Sequence, residues 1–239
     1  MTTHTTYTTT HNPVRSDLAA VPAARASRRW ALAGLAAGVA GVGTMVTAGM
    51  VNAVYDESLF GDTPGVADKL ADQTGPMFAF HSITVLGAVL MIVFAAGLFR
   101  RLRAAAGPDA LAPLVAFAGL AGTAVVSVIG SGLDTEFMMG LGQEVGGHDV
   151  LDPSTAAMYN HWIGTIPWCW VLAGLAGLAL FSVSRAGGVP RWIGIVGLVL
   201  GGLTLVAGVS PLQYIAGMFG PVWLIVTAAG FCFGDRASR

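Results

Sequence analysis

Among the ionisable side chains in or beside stretches too apolar to solvate a charge are His81, Asp134, Glu136 and His161, with Asp56 and Glu57 after the first such stretch. An ionisable group in hydrocarbon is costly and usually marks a functional site, so the first four are the candidate catalytic residues. A histidine with an orienting carboxylate, such as His81 or His161 with Asp134, is enough for acid–base catalysis. A buried carboxylic acid could instead protonate an alkene or epoxide in a lipophilic substrate. The same four side chains, with His148 as a further imidazole, are candidate ligands for a divalent transition metal, since imidazole and carboxylate suit zinc, iron or manganese. No H-x-x-x-H or E-x-x-H spacing places two such ligands on one helix face, which counts against the metal reading. Asp62, Asp68, Asp72 and Asp149 read as solvated loop charges with no chemistry.

Polar residues at helical spacing extend this cluster. Thr123, Ser127, Ser131 and Asp134 recur every three or four positions, as do Thr44, Ala48, Asn52 and Tyr55. His161, Thr165 and Trp168 share a face in the aromatic–polar run YNHWIGTIPWCW, from Tyr159 to Trp170. These stripes suggest a polar pocket that opens at one membrane face, with Asn52, Ser127, Ser131, Asn160 and Trp168 as substrate-binding residues. Trp168 and Trp170 could stack on a hydrophobic or cationic species. In the competing reading each hydroxyl bonds a carbonyl of its own helix and the stripe only packs.

The elements that must position these residues are transmembrane helices. Of 239 residues, 54% are hydrophobic and 10% charged, and mean hydropathy is +0.70. A soluble domain carries about a quarter charged residues, so an ordinary soluble enzyme is excluded. With 12 Lys+Arg against 13 Asp+Glu there is no basic excess for nucleic acid, and no such partner is expected. Six windows are long and apolar enough to span: 30–54, 77–99, 111–133, 161–183, 191–210 and 213–233. Spans five and six, separated by Ser210 and Pro211, read as a tight hairpin. The expected fold is all-α, a polytopic bundle of six transmembrane helices in a lipid bilayer.

Charge placement orients the six spans. Eleven of the twelve basic residues, all arginines, fall in the segments that share a face with the termini, and only Lys69 falls opposite. By the positive-inside rule that face and both termini are cytoplasmic. Ten of the thirteen acidic residues fall on the other face, in the loops after spans one and three. Residues 1–29, threonine-rich and poor in apolar side chains, read as a disordered cytoplasmic tail that includes His4 and His11. Residues 30–233 form the transmembrane domain and 234–239 a short cytoplasmic tail.

Gly34 with Gly38, and Gly197 with Gly201, form G-x-x-x-G steps. Small residues let helix backbones approach closely, either within the bundle or across a homo-oligomer. Pro221 should kink span six. Cys169 and Cys232 are predicted at different depths, so no disulfide is expected. The stretch LFRRLRAAAGPDALAPLVAFAGLAG echoes LFSVSRAGGVPRWIGIVGLVLGG, as a duplicated hairpin would. No P-loop, dinucleotide fingerprint, nucleophile elbow or aspartate-rich prenyl-diphosphate motif is present.

The stretch GGVPRWIGIVGLVLGGLTLVAGV, residues 187–209, resembles a family of bacterial six-span membrane proteins of unknown function. Its mark here is the step Pro190, Arg191 and Trp192 before a glycine-rich fifth span, and the basic turn AAGLFRRLR after span two is similar to that family's. The resemblance implies a six-helix bundle in a bacterial inner membrane and assigns no catalytic residue. Taken together, the sequence suggests an intramembrane enzyme acting on a lipophilic small molecule or lipid. The alternative is a non-enzymatic transporter, binding protein or accessory subunit.

Overall fold

A computed structural model describes residues 28–235. The expected disordered tail up to residue 27, with His4 and His11, lies outside the described residues. So do Arg15, Arg25, Arg236 and Arg239.

Six helical spans are present: Arg29–Met50 (α1), Thr74–Ala106 (α3), Leu111–Gly140, Pro153–Arg185, Arg191–Val209 (α8) and Tyr214–Gly234 (α9). The third divides into Leu111–Gly132 (α4) and Asp134–Gly140 (α5), and the fourth into Pro153–Thr165 (α6) and Val171–Arg185 (α7). A short helix, Thr63–Ala71 (α2), lies in the first connecting segment. The chain is therefore an all-α polytopic bundle, long and apolar enough in six places to cross a bilayer.

The spans close into a ring in which α1 packs on α3, α3 on α4, α4 on α7, α7 on α8, α8 on α9, and α9 on α1. The glycines make these approaches possible. A Cβ built on Gly197 would lie 2.5 Å from the Gly177 carbonyl oxygen, and one on Gly201 2.8 Å from the Gly177 Cα. Gly38 faces Ile225 and the Pro221 carbonyl, and Gly34 faces the Phe94 ring. Both G-x-x-x-G steps thus meet the chain's own helices, the first of the two packing alternatives. The helix α9 continues through Pro221.

Three helix ends differ from the sequence reading. The helix α1 stops at Met50, so Asn52 and Tyr55 lie in a 3-10 turn region and do not prolong a stripe with Thr44. The helix α3 has 33 residues, about 50 Å at 1.5 Å per residue, and overruns a ~30 Å hydrocarbon core at its ends. Span four is not continuous. Pro167 supplies no N–H, and a 3-10 turn at Ile166–Trp168 replaces the α-helical ladder until Ala173 bonds back to Trp170.

This break divides the apolar core. Phe94, Leu98, Leu120, Trp170, Leu180 and Trp223 belong to one cluster in the body of the bundle. Val66, Leu70, Met77, Phe80, Phe137, Tyr159 and Ile163 form a second at the acidic end. The second core is made by loop elements folding over the helix ends, and their starts are capped. Asp62 accepts the Gly65 N–H at the start of α2, and Asp152 that of Ser154 at the start of α6, each with proline in the first turn. Two glycines at positive φ, Gly146 and Gly147, turn the hairpin that pairs Glu144–Val145 (β1) with His148–Asp149 (β2).

At the opposite, basic end, Arg101 forks onto Asp235 at 2.6 and 3.2 Å and donates to the Gly188 carbonyl at 3.0 Å. Arg28 donates to the Cys232 carbonyl at 2.7 Å. The two cysteines are free thiols.

Candidate functional site

Asp134 is fully buried where α4 gives way to α5. Its Oδ1 accepts the Tyr159 hydroxyl at 2.8 Å. Its Oδ2 has no hydrogen-bond partner and faces His81 Nδ1 at 3.6 Å. That same nitrogen lies 3.0 Å from the Ser131 carbonyl oxygen. A carbonyl can only accept, so Nδ1 carries the hydrogen and Nε2 is left as the basic nitrogen of the neutral ring. His81 is therefore oriented by span three through two neighbouring oxygens, one of them a carboxylate. This is the geometry of an imidazole prepared to take and return a proton at Nε2.

Tyr159 reaches Asp134 because its ring lies on Phe137, with centroids 4.1 Å apart. Trp162, one helical turn further along α6, donates its indole N–H to the Gly130 carbonyl at 2.8 Å. These two bonds fasten α6 to span three. Beside them runs a groove of about 400 Å³ lined by Leu133, Phe137, Met158, Tyr159, His161 and Trp162. Its walls are almost wholly apolar.

Of the four candidate catalytic residues, only His81 and Asp134 meet. Glu136 lies two residues beyond Asp134, hence on the opposite face of α5, and is exposed. His161 is exposed with its ring edge-on to Tyr55 at 5.9 Å. His148 is held in the exposed β1–β2 hairpin. Among the described residues no three His, Cys, Asp or Glu side chains stand close enough to hold a metal ion. The proposed ligand set of His81, His161, Asp134 and Glu136 does not assemble.

The substrate-binding candidates are likewise redistributed. Ser127 donates to Thr123 O and Ser131 to Val128 O, so the hydroxyl stripe is spent on its own helix. The space beside it is a cavity of about 20 Å³ bordered by Thr44, Thr84, Ser127 and Trp170, with room for about one water. Asn52 pairs reciprocally with the Gln73 amide. Asn160, fully buried, accepts from the Val54 N–H and donates to the Val51 carbonyl, clamping α6 to the turn after α1. Trp168 packs against Gly217 and Tyr214 and lines a different pocket from the one beside Tyr159. An i, i+3 stripe through Trp168 assumed an unbroken helix, and Pro167 breaks it.

The sequence reading missed Tyr159 as the partner of Asp134, because a contact 25 positions away leaves no local spacing signal. Among the carboxylates at this end of the bundle, Asp56 receives Lys69 at 2.7 Å and two hydrogen bonds from Ser58, which hold its carboxyl well below the usual range. The Ser154 hydroxyl and N–H hold Asp152 low in the same way. Both carboxylates thus hold local turns and helix starts.

Comparison with known proteins gave no match: no family model, no curated protein and no solved structure matches the chain.

Proposed function

We propose that this integral membrane protein is an intramembrane enzyme acting on a lipophilic small molecule or lipid, with His81, oriented by Asp134, as its acid–base group, and that the nearby apolar groove, which His81 does not line, holds the apolar part of the ligand. The observation that carries this reading is the buried, unbonded Oδ2 of Asp134 facing His81 Nδ1 at 3.6 Å. A groove of about 400 Å³ is within the range of small-molecule sites and is lined as a lipophilic ligand requires. The arginine distribution supports a cytoplasmic basic end, and the resemblance of residues 187–209 supports a bacterial inner membrane.

A non-enzymatic reading has one observation in its favour. Asp134 is completely covered, so a ligand in the groove meets Tyr159 and Trp162 before it meets the carboxylate. A binding protein or accessory subunit would need no more. The test is to identify lipophiles that co-purify with the protein in nanodiscs by mass spectrometry and follow their conversion. Loss of conversion with retention of ligand in His81→Gln and Asp134→Asn supports the enzyme. A ligand held unchanged by the wild type and lost only in the groove variant Met158→Trp makes it a binding protein. Full conversion by both site variants overturns the assignment.

A further inference from the structure

On the other side of the span-four break, three aromatic side chains from three separate elements converge on one pocket. Tyr55 comes from the turn after α1, Trp168 from the 3-10 turn that breaks span four, and Tyr214 from the first residue of α9. With Met45 and Gly164 they border a space of about 480 Å³. Trp168 and Tyr214 meet edge to face at 5.8 Å. Tyr55 and His161 meet edge to face at 5.9 Å, and the Tyr55 hydroxyl lies 2.8 Å from where a Cβ on Gly164 would be. An alanine there would displace the phenol, so glycine at this position keeps the third wall in place.

We propose that this pocket is an aromatic cage for a quaternary or fully alkylated ammonium group. Aromatic faces carry negative quadrupole charge and bind such cations without demanding hydrogen bonds that an alkylated nitrogen cannot make, and tryptophan is the strongest of them. Charge favours the same ligand. The described residues at this end of the bundle include ten carboxylates and one lysine, and that lysine is already paired with Asp56. A cation is drawn to such a surface and an anion repelled. Burial and the neighbouring Tyr214 hold the Tyr55 phenol above its ordinary value, so the ring stays neutral at physiological pH. No cationic side chain occupies the cage, and the one described cation–π contact, Arg103 on Phe99, is at the opposite end.

The ammonium group could be free in solution or belong to a choline-type lipid headgroup, and the experiment separates the two. Tryptophan fluorescence of the full chain in phosphatidylglycerol nanodiscs is titrated with choline and with 3,3-dimethylbutanol, its uncharged isostere. Choline is expected to bind and the isostere to bind about tenfold more weakly, the order of a desolvated cation–π contact. Tyr55→Ala, at an exposed residue, should weaken choline by a similar factor, and Tyr214→Phe should not. Calorimetry reads Trp168→Leu independently of fluorescence. In phosphatidylcholine nanodiscs, loss of choline binding identifies a lipid headgroup as the occupant, and unchanged binding identifies a free cation. Equal binding of choline and its isostere, or no choline binding in phosphatidylglycerol, overturns the cage. None of these outcomes depends on His81 or Asp134.

Discussion

Tyr159 lies flat on Phe137, with ring planes 6° from parallel, and in that pose its hydroxyl is directed at the Asp134 carboxylate 2.8 Å away. Tyr159→Phe preserves the stack and removes only the donor. It should cost about 1–3 kcal/mol, the range for stranding a buried acceptor, read as a lower unfolding midpoint in detergent. Combined with Asp134→Asn, the two losses should sum to less than their separate values, because both act on one bond.

Gly177 and Gly197 set the spacing between α7 and α8. Gly197→Ala should destabilise the bundle by about 1–3 kcal/mol or more, since a backbone carbonyl, not a flexible side chain, stands in the way. Gly132→Ala is the control, for nothing lies within 4 Å of its added methyl. Equal stability of the two variants would contradict the close approach.

Asn160 supplies two hydrogen bonds to the turn after α1. Asn160→Ala should accelerate amide exchange in the peptide containing Val54 while leaving α7 through α9 protected. Uniform loss of protection across all six spans would show instead that the clamp supports the whole molecule.

The Asp56–Lys69 pair makes a pH prediction of defined sign. The Asp56 carboxyl is held below its unfolded value, so its contribution is complete above about pH 4 and is lost only as pH falls through the depressed folded value. Amide exchange around Ser58 should therefore be unchanged between pH 5 and 8 once intrinsic rates are corrected. Lys69→Met should shift the onset of loosening upward, towards pH 4, and salt should weaken the pair because it is partly exposed.

Arg101 meets Asp235 with a two-pronged fork, and Asp235 is 2% exposed. Arg101→Ala should cost about 3 kcal/mol or more, the scale for breaking a buried pair, and Arg101→Lys should recover only part of it because an ammonium cannot reproduce the fork. Full stability of Arg101→Ala would remove the pair from the structural account.

What the sequence disclosed followed from forces that act locally along the chain. Apolar runs such as Met77–Phe99 announce a span whatever surrounds them, and the Ser210–Pro211 hairpin carries its own backbone signal. His81 and Asp134 were singled out because charge in hydrocarbon is conspicuous. The rest of the site was less legible. Glu136 and Asp134 differ by two positions, yet helical periodicity sends one to the surface and the other to the core. Tyr159 was chosen by the tertiary stack on Phe137. Asn52 and Asn160 carry the same side chain but settle into different backbone and amide contacts. Pro167 was visible in the sequence, and giving it weight would have shown that His161 and Trp168 cannot share a continuous face.

The interruption at Ile166–Cys169 also has a mechanical meaning. A continuous helix transmits torque, because each turn is bonded to the next. Here Cys169 bonds back to Ile166 and Trp170 to Trp168, shorter steps than those of an α-helix, and the regular ladder resumes beyond them. A twist of α6, which carries Tyr159, Asn160 and Trp162, would be absorbed at this joint and not passed on to α7.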